Sequence, residues 1–189
     1  SVNREETPFV IVYGHKPMYS SNSYHGSEVE LRDSLEDLYF DMGVDLVIAG
    51  HDHFYERTWP VFSEQPMNQG LDNRFARGHA PIHLVIGIAG RSAYEELDEP
   101  QPSWSAFREN SSYGWTRLVY DGDAREISFT HHRIDGTIGD QFVLQEAPMN
   151  IENEDEFLGV PGFSSLLPIL AMFGAAIQRF TRSQGLYYP

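Results

Sequence analysis

Two histidines stand one residue apart in the segment GHDH, where an apolar run of the sequence ends at Gly50. Neutral imidazole is a common ligand of zinc, iron and manganese ions, so His51 and His53 could hold two adjacent ions or grip one ion from two sides. An H-x-H pair alone is a weak signal, because surface histidines often fall together by chance. A third histidine, His15, also follows a glycine at the end of an apolar run. The three predict a metal site if the fold brings their loops together.

The elements around these histidines predict that the fold brings their loops together. The segments PFVIVYG (8–14) and VDLVIAG (44–50) are short β-branched runs that end in Gly, which is typical of buried strands. Between them, SEVELRDSLEDLYFDMG predicts a helix with Ser27 and Glu30 as a capping box and Gly43 as its end. Strand, helix and strand form a βαβ unit with parallel pairing. Since ligands of open α/β sheets bind at the carboxyl ends of strands, we expect the three histidines on one rim.

Further strands are predicted in the second half of the chain. IHLVIGIAG (82–90) predicts a strand with a tight glycine turn beside the site, GWTRLVY and REISFTHHRI predict an antiparallel hairpin, and IDGTIGDQFVL predicts a last strand. His131 and His132 are adjacent on a strand, so they face opposite sides and do not share a site. His79 and His83 are separated by Ala-Pro, which disfavours a helical ligand pair. We assign no metal to these four histidines.

Composition excludes several kinds of protein. The chain has 189 residues and a formal net charge of −15, with 28 acidic residues against 13 Lys and Arg, which argues against binding to nucleic acid. It contains no cysteine, so disulfides and thiolate metal sites are excluded. A metal ion in this chain must therefore be held by His, Asp, Glu, Asn or Tyr.

Two segments of the chain together carry a family resemblance. VYGHKPMYSSNSYHG and GHDHFYERTWPV resemble the last two metal-binding blocks of the purple acid phosphatases, within the calcineurin-like metallophosphoesterases. The resemblance continues through IHLVIGIAG, SWSAFRENSSYGWTRL and DGTIGDQFVL, so that it covers roughly residues 8–145. It implies an α/β fold: residues 1–148 would be the C-terminal part of a metallophosphoesterase β-sandwich flanked by helices. Residues 149–189 would be an acidic linker and an apolar helical tail.

The resemblance also implies a role for each histidine. His15 and His51 would ligate the divalent ion of a dinuclear centre, and His53 would ligate the ferric ion. The centre would contain Fe(III) with Fe(II), Zn or Mn and would hydrolyse phosphate monoesters. His25 would contact the phosphate and protonate the leaving group. Such a reaction needs two ions that clamp the ester oxygens and lower the pKa of a bound water, while a general acid typically adds ~10²- to 10⁴-fold.

The family site also needs the blocks G-D-x-G, G-D-x-x-Y and G-N-H-E, and none of them is found in this sequence. Asp140 follows a glycine but lies near a hairpin strand, and we do not assign it to the metal. Three imidazoles without carboxylates would leave two cations under-neutralised, so we expect the chain alone to be inactive. An N-terminal phosphatase half, as another chain or an upstream segment, would complete it. The alternative is an inactive structural or interaction subunit that docks through its apolar tail.

Three further features have two interpretations each. Tyr55, Glu56 and Arg57 could orient the metal-binding loop, or they could form a solvated strand edge with a surface ion pair. Asn110 begins a formal N-glycosylation sequon, which either fits the secreted, vacuolar or lysosomal location of many family members or occurs by chance. The uncharged stretch 157–178 could contact or span a membrane with the domain facing outside, or pack as a helix on the domain or a partner.

Overall fold

The computed structural model describes residues 2–67 and 70–146. The chain forms one helix and eleven strands within these ranges. In chain order they are β1 (Ile11–Tyr13), α1 (Val29–Asp41), β2 (Leu46–Ala49), β3 (Tyr55–Thr58), β4 (Val61–Phe62), β5 (Gln65–Pro66), β6 (Arg74–Ala76), β7 (Ile82–Ile86), β8 (Ser105–Glu109), β9 (Gly114–Asp121), β10 (Glu126–Arg133) and β11 (Ile138–Gln145).

The larger sheet has five strands in the order β1-β2-β7-β3-β8. β1 pairs with β2 in parallel, and β2 pairs with β7 in parallel, whereas β3 is antiparallel to both β7 and β8. The predicted parallel βαβ unit is therefore confirmed, with α1 as its crossover. Because three parallel strands end at the same edge, the loops after β1, β2 and β7 share one rim of this sheet.

The smaller sheet has four strands in the order β6-β11-β10-β9, and β4 and β5 form a separate two-stranded pair. β9 and β10 are antiparallel, as are β10 and β11, so the predicted hairpin and last strand are confirmed. Their side chains alternate between the core and the other face of the sheet: Ile127, Phe129 and His131 of β10 are buried.

The main core joins the two sheets. Buried side chains of the larger sheet, such as Leu46 and Leu84, belong to one cluster with Phe129, Phe142 and other side chains of the smaller sheet. The rings of Phe129 and Phe142 stack at 4.7 Å. This shared core fixes the larger sheet as a rigid support for its rim.

Helix α1 differs in part from its prediction. Its N-cap residue is Glu28, which makes no capping side-chain hydrogen bond, so the predicted capping box of Ser27 and Glu30 is wrong. The Ser27 hydroxyl instead bonds the backbone of Ser20, accepting from its N–H at 3.0 Å and donating to its carbonyl at 3.2 Å. Gly43 has a φ of 65°, in the left-handed region that ends many helices, as expected.

The structure thus consists of mixed sheets with few helices, in agreement with the α/β expectation. No helix among the described residues is long and apolar enough to cross a membrane. The predicted acidic linker and apolar tail, residues 149–189, lie outside the described residues.

Candidate metal centre

The loops after β1 and β2 are joined at the rim by backbone hydrogen bonds. The N–H of Gly14 donates to the carbonyl of Ile48 at 2.9 Å, and the N–H of Gly50 donates to the carbonyl of His15 at 3.1 Å. His51 has a φ of 65°, a left-handed conformation that is uncommon for residues other than glycine. Such outliers persist when the surrounding structure holds them. The backbone that leads into His51 is therefore held against the loop of His15.

His15 and His51 face each other across this junction. Nδ1 of His51 lies 3.1 Å from Nε2 of His15, and their ring centroids are 4.9 Å apart. Two imidazole nitrogens that are 3.1 Å apart and bind one ion at about 2.0–2.1 Å would subtend roughly 100° at that ion. This angle suits tetrahedral or octahedral coordination, so the pair fits a shared metal ion.

His25 completes a group of three imidazoles. Its ring lies 4.5 Å from that of His51, and its Nε2 lies 3.1 Å from the hydroxyl of Tyr94. The side chain of Asn22 holds the backbone there, since its Oδ1 accepts the N–H groups of Tyr24 and His25 at 2.8 and 3.2 Å. The structure therefore brings His25 to the His15 and His51 pair; the strand pattern predicts His15, His51 and His53 on one rim, and His25 enters through the family resemblance.

His53 lies against Tyr94. The two rings stack at 4.5 Å, and the Tyr94 N–H donates to the His53 carbonyl at 3.1 Å. Tyr94 thus contacts both His25 and His53, and sequence reasoning missed it. The available signal was weak: Tyr94 lies in the long loop after β7, which a parallel sheet brings to the same rim.

Asp52, between the two histidines of GHDH, is fully buried. Its Oδ2 accepts a short hydrogen bond from the Ser20 hydroxyl, while its Oδ1 has no hydrogen-bond partner. Burial raises the pKa of this carboxyl above its ordinary value, and the bond from Ser20 opposes that shift. Ligand atoms of His25, His51 and Asp52 lie within 4.8 Å of one another. Asp52 is therefore a carboxylate close to the histidines that sequence reasoning did not assign.

The electrostatic setting favours neutral histidine at position 51. Burial lowers the pKa of His51, and the neighbouring imidazoles of His25 and His15 lower it further, whereas Asp52 raises it. Neutral imidazole is the form that ligates metal ions.

The side chains of Tyr55, Glu56 and Arg57 are all buried, so their interpretation as a solvated strand edge is wrong. Tyr55 and Arg57 hold Asp140: the Tyr55 hydroxyl donates at 2.9 Å, and the guanidinium donates twice, at 2.7 and 3.0 Å. Asp140 is thus part of a tie between the two sheets. Glu56 faces the loop that carries His25, where it accepts from Ser21.

The glycine turn after β7 lies directly against the GHDH loop. A Cβ atom added to Gly87 would lie 2.1 Å from the carbonyl oxygen of Asp52, a distance that real Cβ atoms essentially never show. Gly90, in the same turn, has nothing within 4 Å of such an atom. Close approach of two backbones therefore requires glycine at position 87 but not at position 90.

The other histidines and Asn110 do not belong to the group of His25, His51 and Asp52 among the described residues. His83 and His131 are buried, His79 is exposed, and His132 stacks on Trp115 at 4.4 Å. The Asn110 amide donates to the carbonyls of Tyr94 and Glu95, at 2.8 and 3.2 Å, and so supports the Tyr94 loop. Glycosylation of Asn110 and a secreted, vacuolar or lysosomal location stay predictions.

Comparison with known families gives two matches along the chain. Residues 1–55 match the calcineurin-like phosphoesterase family, and residues 80–141 match the family described as iron/zinc purple acid phosphatase-like protein C. Together they include the rim, β7, β8 and most of the smaller sheet.

Individual proteins and structures agree with these matches. Acid phosphatase type 7 of Danio rerio is 35% identical over 155 residues, which is 74% of this chain and 33% of that protein. Fe(3+)-Zn(2+) purple acid phosphatase 12 of Arabidopsis thaliana is 42% identical over 114 residues, 58% of this chain and 24% of that protein. Purple acid phosphatase PPD1 from yellow lupin (Lupinus luteus) seeds superimposes with a TM-score of 0.70 at 26% identity, covering 77% of this chain and 26% of that chain.

The chain spans about a quarter to a third of the length of the curated acid phosphatases it matches.

Proposed function

Because the chain belongs to the purple acid phosphatase family and matches the C-terminal part of its members, we propose that it supplies the histidine side of a dinuclear centre hydrolysing phosphate monoesters. The observation that carries this proposal is the approach of His51 Nδ1 to His15 Nε2 at 3.1 Å, with the His25 ring 4.5 Å from that of His51. Two imidazole nitrogens at this separation fit one shared cation, and neutral imidazole is the form that binds it.

His15 and His51 would hold the divalent ion, and His53 would hold the ferric ion. When bound, the two ions supply charge neutralisation at the phosphate and a water nucleophile at neutral pH. Fe(III) paired with Zn, Fe(II) or Mn suits imidazole and carboxylate donors. One relative carries Fe(3+)-Zn(2+) in its name.

His25 is the residue of this chain placed to move a proton. As the water oxygen forms a new bond to phosphorus, the bond from phosphorus to the leaving oxygen breaks. The imidazolium of His25 gives its proton to that departing oxygen, which leaves as an alcohol. The Tyr94 hydroxyl, 3.1 Å from His25 Nε2, orients the ring for this transfer.

The donor set of this chain is rich in imidazole and poor in carboxylate. Asp52 is the acidic residue grouped with the rim histidines among residues 2–67 and 70–146, and its Oδ2 is bonded to Ser20. Two cations need more negative charge than this. We therefore propose that a first half, as an upstream segment or another chain, contributes the carboxylates. This first half and the present chain together form the complete enzyme.

Metal analysis of the complete enzyme tests the proposal. We expect about two metal ions per chain, at least one of them iron, and hydrolysis of p-nitrophenyl phosphate that is lost on chelation and restored by the metals. An iron content near zero, with no other bound metal, would contradict the catalytic function and favour a structural or interaction subunit.

A further inference from the structure

Two buried carboxylates of the segment that follows His51 hold consecutive serines of the loop that carries His25. Asp52 accepts a hydrogen bond from the hydroxyl of Ser20, and Glu56 accepts two from Ser21. The metal-ligand segment and the His25 loop are therefore tied together by side chains as well as by packing.

Glu56 has the more extensive contacts of the two. It is 1% exposed and accepts three hydrogen bonds: from the Ser21 N–H at 2.8 Å, from the Ser21 hydroxyl at 2.6 Å and from the Ser105 hydroxyl at 2.6 Å. A carboxylate buried to this extent is costly unless such donors surround it. The Ser21 hydroxyl also accepts from the Arg108 guanidinium at 3.3 Å. The geometry of Ser21 is thus set from β3 and β8.

The position of Ser21 influences that of His25 through the residue between them in the contact chain, Asn22. The next residue, Asn22, is 1% exposed and accepts the backbone N–H of His25. The Asn22 amide donates to the carbonyl of Glu96 at 3.3 Å, on the loop that also carries Tyr94. The His25 side chain itself is exposed. The Tyr94 hydroxyl orients its ring, and its placement beside His51 depends also on its backbone, which Glu56 anchors through Ser21.

We propose that Glu56 is a positioning residue that fixes His25 against the His15 and His51 pair, so that the proton of His25 reaches the leaving oxygen. This inference rests on the proposed phosphatase function. Glu56 acts through Ser21 and Asn22 and does not touch substrate.

Leaving-group dependence in the complete enzyme tests this role. An alkyl leaving group, as in glycerol 2-phosphate, depends on protonation far more than p-nitrophenolate does. We expect Glu56→Ala to lower kcat/KM for glycerol 2-phosphate at least about tenfold more than for p-nitrophenyl phosphate. Glu56→Gln should recover part of the loss, because its side-chain oxygen still accepts the Ser21 N–H. Equal losses on both substrates would overturn the proposal.

Two variants separate positioning from general destabilisation. Glu109→Ala removes another buried carboxylate, on neighbouring β8, which is bonded to Arg133 and Ser111. We expect it to lower both activities alike. If Glu56→Ala fails to fold, Ser21→Ala removes a single donor and should still shift the preference toward the aryl ester.

Hydrogen exchange gives a readout that needs no activity. In Glu56→Ala, the backbone amides of residues 21–25 should exchange at least about tenfold faster than in the unsubstituted protein, while β10 keeps its protection. Unchanged exchange in residues 21–25 would overturn the positioning role even if the enzyme is active. If the unsubstituted enzyme hydrolyses neither substrate, the phosphatase function is contradicted. Faster exchange in Glu56→Ala would then still support the anchoring of residues 21–25 by Glu56.

Discussion

His25 lies exposed beside His15 and His51, whereas His131 is 1% exposed between the two sheets and stacks on Tyr55 at 4.0 Å. The rim histidines, His15, His25, His51 and His53, belong to loops at the ends of strands. The inter-sheet cluster, Tyr55, Arg57, His131 and Asp140, belongs to strands. Both regions hold imidazole close to aromatic rings.

Their charges are arranged differently. In the inter-sheet cluster the guanidinium of Arg57 and the carboxylate of Asp140 neutralise each other at 2.7 Å. Burial lowers the pKa of His131, which favours its neutral form. On the rim, ring nitrogens face one another at 3.1 Å. The cluster thus pairs a cation with an anion, whereas on the rim two imidazoles contact each other and the carboxylate grouped with His51, Asp52, is bonded to Ser20. Substitutions on the rim should affect activity, and those in the cluster should affect stability.

The largest effect is expected for His51→Ala on the rim. Loss of this imidazole removes a metal ligand, so kcat of the complete enzyme should fall about 10³- to 10⁴-fold. The melting temperature of the metal-free form should hardly change, because His51 is only half-buried. His79→Ala, at an exposed histidine off the rim, is the control and should retain activity. Retained activity in His51→Ala would show that the rim histidines are not what distinguishes the rim from the inter-sheet cluster in activity.

Asp140→Ala should show the opposite pattern. It leaves the buried guanidinium of Arg57 without its counter-charge, and the free energy of unfolding should fall by about 3–5 kcal/mol. Urea denaturation of the complete enzyme measures this loss, with Asp123→Ala in an exposed turn as the control. Metal content per folded molecule should stay the same. A normal unfolding midpoint in Asp140→Ala would show that the cluster does not stabilise the fold.

Gly87→Ala tests the contact by which the scaffold supports the rim. The new methyl group would overlap the Asp52 carbonyl, so the GHDH loop must shift, and kcat/KM should fall about a hundredfold. Gly90→Ala, in the same turn with open space around it, should be close to the unsubstituted enzyme. Similar activities for the two variants would show that the rim tolerates displacement.

His83 gives the smallest expected effect, and it appears in the dependence of stability on pH. Burial lowers the pKa of this imidazole from 6.5 to about 3. Below pH 6.5 the unfolded chain takes up a proton that the folded chain does not, so stability is lost as the pH falls toward 3. Between pH 7 and pH 5 the loss should be about 2 kcal/mol. In His83→Gln this loss of unfolding free energy should be absent when denaturant titrations are compared at pH 7 and pH 5. The same dependence on pH in both proteins would contradict the assignment of the loss to His83.

Much of the scaffold could be predicted because its signals are local. The apolar runs of β2 and β7, the helix end at Gly43 and the turn between β9 and β10 each depend on neighbouring residues. β8 was missed because its polar sequence, SAFRE, does not resemble a strand. The polar sequence YERT of β3 indicated at most a solvated strand edge, although all four of its residues are buried. Several polar side chains of β3 and β8 bind partners far along the chain, which no local pattern records.

Part of the candidate site follows from equally local signals. The approach of His15 to His51 follows from the parallel pairing of β1 and β2, which the sequence indicates through a Gly-His pair at the end of each strand. His25 follows only from the family resemblance. Tyr94 and Asp52 could not be placed, because the path of an irregular loop and the direction of one side chain depend on tertiary packing. The capping box failed at Ser27 because the backbone of Ser20 competes for its hydroxyl.

β3 consists of four buried residues, and each of their side chains binds a partner elsewhere in the chain. Tyr55 and Arg57 bind Asp140, up to 85 positions away in sequence; Glu56 binds Ser21, 35 positions away; the Thr58 hydroxyl oxygen accepts the N–H of His83. Such a strand has no position that can vary alone. Among related sequences, changes at Arg57 should therefore accompany changes at Asp140, and changes at Glu56 should accompany changes at Ser21, as a covariation signal between distant parts of the chain.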